Sequence, residues 1–287
     1  MKTMVGVLLT GALMATASLL ARADARFERT LKVTGTSTLH LMNGSGNVHL
    51  SQGANNAIHI VGVVKRGCGW GWGDSRPSDA QIQALIQNPP IEQTGDIVTV
   101  GGHMHDLHCV SIDYTVEAPA SVMLEVNSGS GDVTDDGVGN HARLRTGSGD
   151  IRAHGLTGGF SAGTGSGNIV IDSGGSGDVR VDTGSGDITV NGVNGALRAS
   201  TGSGNLHLRG KPSAGWYVTT GSGDVDIATG QAGYVLDAHT GSGDIHTDSG
   251  ATMNDVQSTH HSFHARVRGG GATIEVHTGS GNVRLKE

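Results

Sequence analysis

A six-residue phrase, Thr-Gly-Ser-Gly-Asp-Ile, constrains the fold of this 287-residue chain more than any other feature. It stands at 183–188, with copies at 146–151, 164–169, 201–206, 220–225, 240–245 and 278–283 that exchange only Asp/Asn and Ile/Leu/Val. Looser copies occupy 128–133 and 43–48. From 128 onward the copies begin at 128, 146, 164, 183, 201, 220, 240 and 278, in steps of 18, 18, 19, 18, 19, 20 and 38 residues. The last gap is two steps, which places a worn copy near Thr259. A fixed period of this size is the mark of a solenoid.

The residues around each copy say what one repeat is. Four positions before the bend stand Leu124, Ala142, Phe160, Val179, Leu197, Trp216, Leu236 and Ile274, and two before it Val126, Leu144, Ala162, Val181 and Val276. Between them lie Arg143, Ser161, Arg180, Arg198, Tyr217, Asp237 and Glu275, a row that is basic at one end and acidic at the other. This period-two alternation describes a strand with one buried face, and parity puts Trp216 in the core. After the bend, Ile188/Val190, Leu206/Leu208 and Val225/Ile227 repeat the pattern, with Thr189, His207 and Asp226 opposite. Each repeat therefore carries two short strands. Gly147, Gly149, Gly184, Gly186, Gly221 and Gly223 are expected as turn residues, because positive φ is cheap only for glycine. Asp150, Asp187 and Asp224 are expected to accept a backbone N–H from their own bend. The threonines are expected to form a hydroxyl ladder.

One such repeat cannot bury its apolar face, whereas stacked repeats can. The expected fold is all-β: a right-handed parallel β-solenoid, a single-stranded β-helix with coils of 18–20 residues. Nine coils over 128–287 at about 4.8 Å each make a thin rod roughly 40 Å long. Such a linear core also suits a composition of 49 glycines and 3% aromatics, too poor in large side chains for a conventional globular centre.

Residues 1–23 read as a signal peptide, with Lys2 at the start, an apolar run over 5–20 and a small-x-small cleavage site at Ala21-Arg22-Ala23. No cysteine follows the run, so nothing suggests a lipoprotein. Its removal takes away Lys2 and Arg22 and no acid, which moves the net charge from −7 to −9. An acidic mature chain without a basic run argues against nucleic acid or an anionic membrane as partner, and no membrane insertion is expected after cleavage. Residues 24–127 read as N-terminal strands and a capping insertion, with a short helix at 78–88. Ser78 or Asp79 caps that helix, Ile82, Leu85 and Ile86 share one face, and Pro89-Pro90 stops it. The helix and the Trp70/Trp72 pair are expected to cover the first coil, and the charged final strand, 283–287, to guard the far edge. The repeat solenoid itself is assigned to 128–287. The two cysteines, Cys68 and Cys109, read as a disulfide across a loop of about 40 residues in an exported chain.

Chemistry is sparse. His103, His105 and His108 precede Cys109, and imidazole with thiolate suits zinc or copper, so a periplasmic metal-binding protein is the alternative reading. A disulfide at Cys109 removes the thiolate. His260, His261 and His264 form a weaker set. The Asp/Asn column at 132, 150, 168, 187, 205, 224, 244 and 282 invites calcium, but turn capping accounts for it without metal. Asp224 and Asp244 fall one coil apart, near the spacing of a retaining glycosidase, yet stacking imposes that spacing on every pair. A polysaccharide-acting enzyme on a β-helix needs a charged cluster that breaks the repeat, and none is present. No catalytic residue, metal site or cofactor is assigned.

The step Tyr114-Thr115-Val116-Glu117-Ala118-Pro119, the run 124–133 and the Thr-Gly-Ser-Gly-Asp-Ile copies together resemble the bacterial putative-adhesin family of exported β-strand-repeat proteins, over about residues 27–287. The resemblance implies a parallel β-solenoid without catalytic residues. The reading that follows is an exported, non-enzymatic binding or scaffold protein of the cell envelope, periplasmic or on the surface, whose partner is an envelope or surface protein or glycan. The residues name neither the ligand nor an oligomeric state.

Overall fold

In the computed structural model, residues 25–34, 36–67, 77–102, 109–247 and 250–286 are described. The signal-peptide segment, Cys68, Trp70, Trp72, His103, His105 and His108 lie outside them. Among the described residues the chain is all-β with one helix, and its strands form two long, mostly parallel sheets that do not close into a barrel.

The N-terminal strands are β1 (Ala25–Lys32), β2 (Thr38–Ser45), β3 (Val48–Gln52), β4 (Ala57–Arg66), β5 (Ile91–Thr94), β6 (Ile97–Gly101) and β7 (Val110–Ala118), with α1 (Asp79–Gln87) between β4 and β5. The regular coils follow as pairs: β8 (Met123–Ser130) with β9 (Val133–Asp136), β10 (His141–Thr146) with β11 (Ile151–Leu156), and β12 (Phe160–Thr164) with β13 (Ile169–Ser173). Next come β14 (Val179–Ser185) with β15 (Ile188–Asn194), β16 (Leu197–Ser203) with β17 (Leu206–Lys211), and β18 (Trp216–Ser222) with β19 (Val225–Ala228). The C-terminal strands are β20 (Tyr234–Ser242), β21 (Ile245–Thr247), β22 (Met253–Ser258), β23 (Ser262–Val267), β24 (Ala272–Ser280) and β25 (Val283–Lys286).

The strand before each bend joins one sheet and the strand after it joins the other. In the pre-bend sheet Ala142 faces Phe160, then Val179, Leu197, Trp216 and Ile274, each at matching register. In the post-bend sheet Ile151 faces Ile169, then Ile188, Leu206 and Val225. These rows point inward into a single apolar cluster, and Val181, Leu197 and Ile274 are all buried. Parity thus translates directly into burial.

The order of the coils departs from the order of the sequence. The final coil, β24 and β25, does not end the stack: β24 lies between β18 and β20, and β25 between β19 and β21. The expected worn coil near Thr259 is absent. Its place is taken by an antiparallel ribbon, β22 and β23, paired onto the far side of β20. The cause is local: Thr259-His260-His261-Ser262 has no Gly-Ser-Gly bend, and Thr259 Oγ1 instead accepts the Ser262 N–H at 3.0 Å in a hairpin turn. Hence eight coils, not nine, are built from residue 128 onward. The charged last strand is not an edge guard either, because β25 is hydrogen-bonded on both sides.

The N-terminal end repeats this plan. β2 and β3 sit between β8/β9 and β6/β7. Beyond them β4 pairs antiparallel with β7, β1 with β4, and β5 with β6. Each end therefore carries antiparallel pairings, except where three-residue β21 leaves a short edge. α1 starts with Ser78 as N-cap in a capping box with Gln81, and it buries Ile82 and Leu85. Arg29 donates to the Gln87 carbonyl at the helix end (2.9 Å), which ties the helix to β1.

Candidate functional site

The bends, where the sequence placed its site residues, stack into one file held by a side-chain ladder. The Asn47 N–H donates to Asp113 Oδ1, the Asp132 N–H to Asn47, Asp150 to Asp132, Asn168 to Asp150 and Asp187 to Asn168. Asn205 then donates to Asp187, Asp224 to Asn205, Asn282 to Asp224 and Asp244 to Asn282, all nine bonds falling between 2.7 and 3.1 Å. Each Asp/Asn of the file except Asp244 thus caps the next coil, which corrects the expectation that it would cap its own bend. The threonines likewise form no hydroxyl ladder: Thr146, Thr183 and Thr220 donate to the second glycine carbonyl of the neighbouring coil, at Gly131, Gly167 and Gly204.

Close stacking, more than turn geometry, explains the glycines. A Cβ on Gly149 would sit on the Gly131 carbonyl oxygen, and Gly186 adds a φ of +153° to the same crowding. A Cβ on Gly147, Gly184 or Gly221 would come within 2.5 Å of the glycine carbonyl oxygen of the coil before it.

Interleaving also corrects the carboxylate spacing. Asp224 and Asp244 are not one coil apart, because Asn282 stands between them. Read through space, the column alternates Asp and Asn except at Asp132/Asp150, and there Arg152 reaches both acids, at 3.8 and 2.7 Å. At the other junction Arg284 bonds Asp224 (3.0 Å). The Asn282 N–H, then Arg284, hold the Asp224 carboxyl below the usual range. The ladder thus occupies one carboxylate oxygen in each of Asp132, Asp150, Asp187 and Asp224. Among the described residues no group of three His, Cys, Asp or Glu side chains is arranged to hold a metal ion. His260 and His261 meet edge-to-face at 4.7 Å, while His264 turns away to Asp237 (3.6 Å).

Beyond the bends, the outer face of the pre-bend sheet carries a row of polar side chains in register. In spatial order its main row runs His40, Glu125, Arg143, Ser161, Arg180, Arg198, Tyr217, Glu275, Asp237 and His264. The C-terminal half is internally satisfied. Arg198 lies over the Tyr217 ring (4.8 Å), His277 bonds Glu275 (2.8 Å) and stacks on His239, and Asp237 takes His239 and His264.

The N-terminal half differs. Strand β10 projects His141, Arg143 and Arg145, all exposed, and none has a carboxylate within 4 Å among the described residues. The neighbouring acids are engaged: Glu125 with His40 (3.2 Å) and Asp178 with the Ala196 N–H (3.3 Å). Next to β10, strand β12 offers only Ser161 and Gly163 outward. An open groove of about 880 Å³ crosses the starts of β2, β8, β10, β12 and β14 here. Its wall is the loop pair at 157–159 and 176–178, where Gly158, Gly159 and Gly177 leave the opening clear of side chains.

A family model, Toastrack DUF4097, matches residues 26–286. The chain belongs to the Toastrack DUF4097 family. Among solved structures, this Toastrack chain is similar to one described as a putative adhesin from Bacteroides fragilis NCTC 9343, at 11% identity and TM-score 0.49, covering 91% of this chain and 97% of that one. A second, a putative adhesin from Parabacteroides distasonis ATCC 8503, gives 12% identity and TM-score 0.48 with the same coverages. A third, a putative cell adhesion protein from Clostridium sporogenes ATCC 15579, gives 11% identity and TM-score 0.30 over 91% of this chain and all of that one. No curated protein matches. The family is the one that the repeat and the 114–133 stretch resembled.

One titratable group of the Toastrack chain departs strongly from its ordinary behaviour without being open to any substrate. Asp135 is fully buried on the inward row of β9, between Leu50 and Ala153. Its Oδ1 accepts the Val138 N–H at 2.8 Å, while Oδ2 has no partner. Burial pushes its carboxyl up to about 7, against the lowering by Val138. Sealed from solvent, it serves a corner of the backbone.

Proposed function

We propose that the protein is an exported, non-enzymatic, adhesin-like binding or scaffold protein of the cell envelope. In this reading the leader at 1–23 is removed, 24–127 supplies the capping region, and 128–287 continues the repeat stack. The stack is a right-handed solenoid of 18–20-residue coils. The Cys68–Cys109 disulfide is part of the proposal. It is supported by the pairing of Arg66 with Val110 and by the Gly67 N–H donating to the Cys109 carbonyl at 3.1 Å, one residue from Cys68.

The observation that carries the reading is the outer face of the pre-bend sheet. Its polar side chains repeat in register from coil to coil, on a frame locked by the Asx ladder. Such a frame displays fixed groups along a line, which suits holding an extended partner. Among the described residues no helix is long and apolar enough to cross a membrane. Cell fractionation of the tagged full-length chain tests export: the expected product is the processed protein in the periplasmic or surface fraction. Unprocessed protein confined to the cytosol contradicts the proposal.

A further inference from the structure

We infer that a depression on the outer face of the post-bend sheet, over Ala228, binds one phosphate or sulfate group between Arg209 and Lys286. The site lies on the sheet opposite the face considered above, and it stands whether or not the chain is exported. Three observations converge.

The first is a missing counter-ion. Two outward rows run side by side across β17, β19 and β25. In one, Asp226 faces His207 on one strand and Arg284 on the other, and its carboxylate lies near both, at 3.3 and 3.7 Å. Two residues further on, Ala228 faces Arg209 and Lys286 in the same register. The arrangement of a cation on each side is repeated, with the acid between them left out. Arg209 and Lys286 are exposed, and among the described residues neither has a carboxylate within 4 Å. Asp172, on the same face, is already taken by Asn191 (2.7 Å) and His154 (2.8 Å).

The second is the sign of the depression. It holds about 630 Å³, and its lining sets two cations, Arg209 and Lys286, against one acid, Asp226, which His207 and Arg284 already flank. On a chain of net charge −7 this is a concavity of the opposite sign, where an anion is concentrated.

The third is shape. β19 stops at Ala228, where the chain leaves the sheet in a turn closed by the Ala232 N–H on the Thr229 carbonyl (3.4 Å), whereas β17 runs on to Lys211. A small side chain on a short strand leaves a notch between two long cationic ones, based two strand spacings apart, roughly 10 Å. An arginine fork takes two oxygens in its plane, which uses up a carboxylate. A tetrahedral oxyanion keeps oxygens for the lysine as well. Lys286 stands beside β19 only because the final coil is inserted there, so the site belongs to the interleaved stack alone.

The test is a titration of the purified, isotope-labelled protein followed through its backbone amide resonances. Inorganic phosphate and sulfate are the probes, with acetate in parallel. Both tetrahedral anions should shift the amides of Arg209, Ala228 and Lys286, with an affinity that added sodium chloride weakens. The double variant Arg209→Gln/Lys286→Gln should lower that affinity by roughly tenfold or more. Ala228→Asp supplies the absent acid from within the fold and should cost as much, while Arg143→Gln on the other sheet leaves binding unchanged. The amide spectrum of each variant verifies its fold. Glycerol phosphate and a sulfated monosaccharide then separate a lipid headgroup from a glycan as the source, and the tighter of the two names it. Three results overturn the inference: no shift of these amides by phosphate or sulfate, equal binding of acetate, or binding that survives either Ala228→Asp or the double variant.

Discussion

Trp216→Ala is expected to destabilise the fold by about 3–5 kcal/mol, the loss usual for deleting a fully buried large aromatic. Trp216 is 1% exposed, packs in the inward row between Leu197 and Ile274, and donates its indole N–H to the Gly195 carbonyl at 3.1 Å. Truncation therefore opens a cavity and strands a carbonyl at once. The position matters as much as the size, because Ile274 belongs to the coil inserted from the C-terminus. In a stack where each coil touches only its neighbours, a fault here uncouples the last coils from the rest. Denaturant unfolding should show a lower midpoint and a split transition, with the C-terminal portion melting first. Trp216→Phe keeps most of the volume and should cost only about 1–2 kcal/mol, chiefly for the unpaired carbonyl. A change of less than about 1 kcal/mol in the alanine variant would contradict the packing described.

Asp135→Asn is expected to remove a pH dependence of stability. The folded carboxyl titrates at about 7 and its reference value is 3.8, so between these values the folded chain holds a proton that the unfolded chain has released. Stability from this group is complete below pH 4 and falls as pH rises to 7, by up to about 4 kcal/mol at 1.36 per pKa unit. Asparagine keeps an acceptor for the Val138 N–H and carries no charge at any pH. At pH 8 the variant should be more stable than the natural chain by about 1–3 kcal/mol, once its unpaired amide is allowed for. Below pH 4 that advantage should vanish and the natural chain should be the more stable by the cost of the amide. Thermal melts across this range check the pattern, and parallel curves would rule it out.

Much of this architecture can be read from residue parity. Val181, Leu197, Trp216 and Ile274 are buried, as their alternation with Arg180, Arg198, Tyr217 and Glu275 demands. The short helix with its Ser78 cap is equally local and equally legible. What parity does not carry is the order of the coils. The bend at 278–282 is chemically the same as the bend at 240–244, so either coil fits against β18, and a repeat cannot declare its own address. The deciding residues are those that do not repeat, 250–271, whose missing bend turns the chain back as an antiparallel ribbon. The Asp/Asn alternation held the clue, since sequence order sets Asp224 beside Asp244 and only an intervening Asn282 separates the charges. Arg143 and Arg145 were visible as outward residues of one strand. Their lack of partners was not, because it depends on which acids the neighbouring coils spend on His40 and on backbone N–H groups.

The interleaved stack is decided most directly by nuclear Overhauser contacts between backbone protons in isotope-labelled protein. The account predicts contacts from the 216–220 strand to 274–278, with Val218 opposite Val276, and from Val276 onward to Ala238. Direct contacts between Val218 and Ala238, with Val276 at the end of the stack, would contradict it.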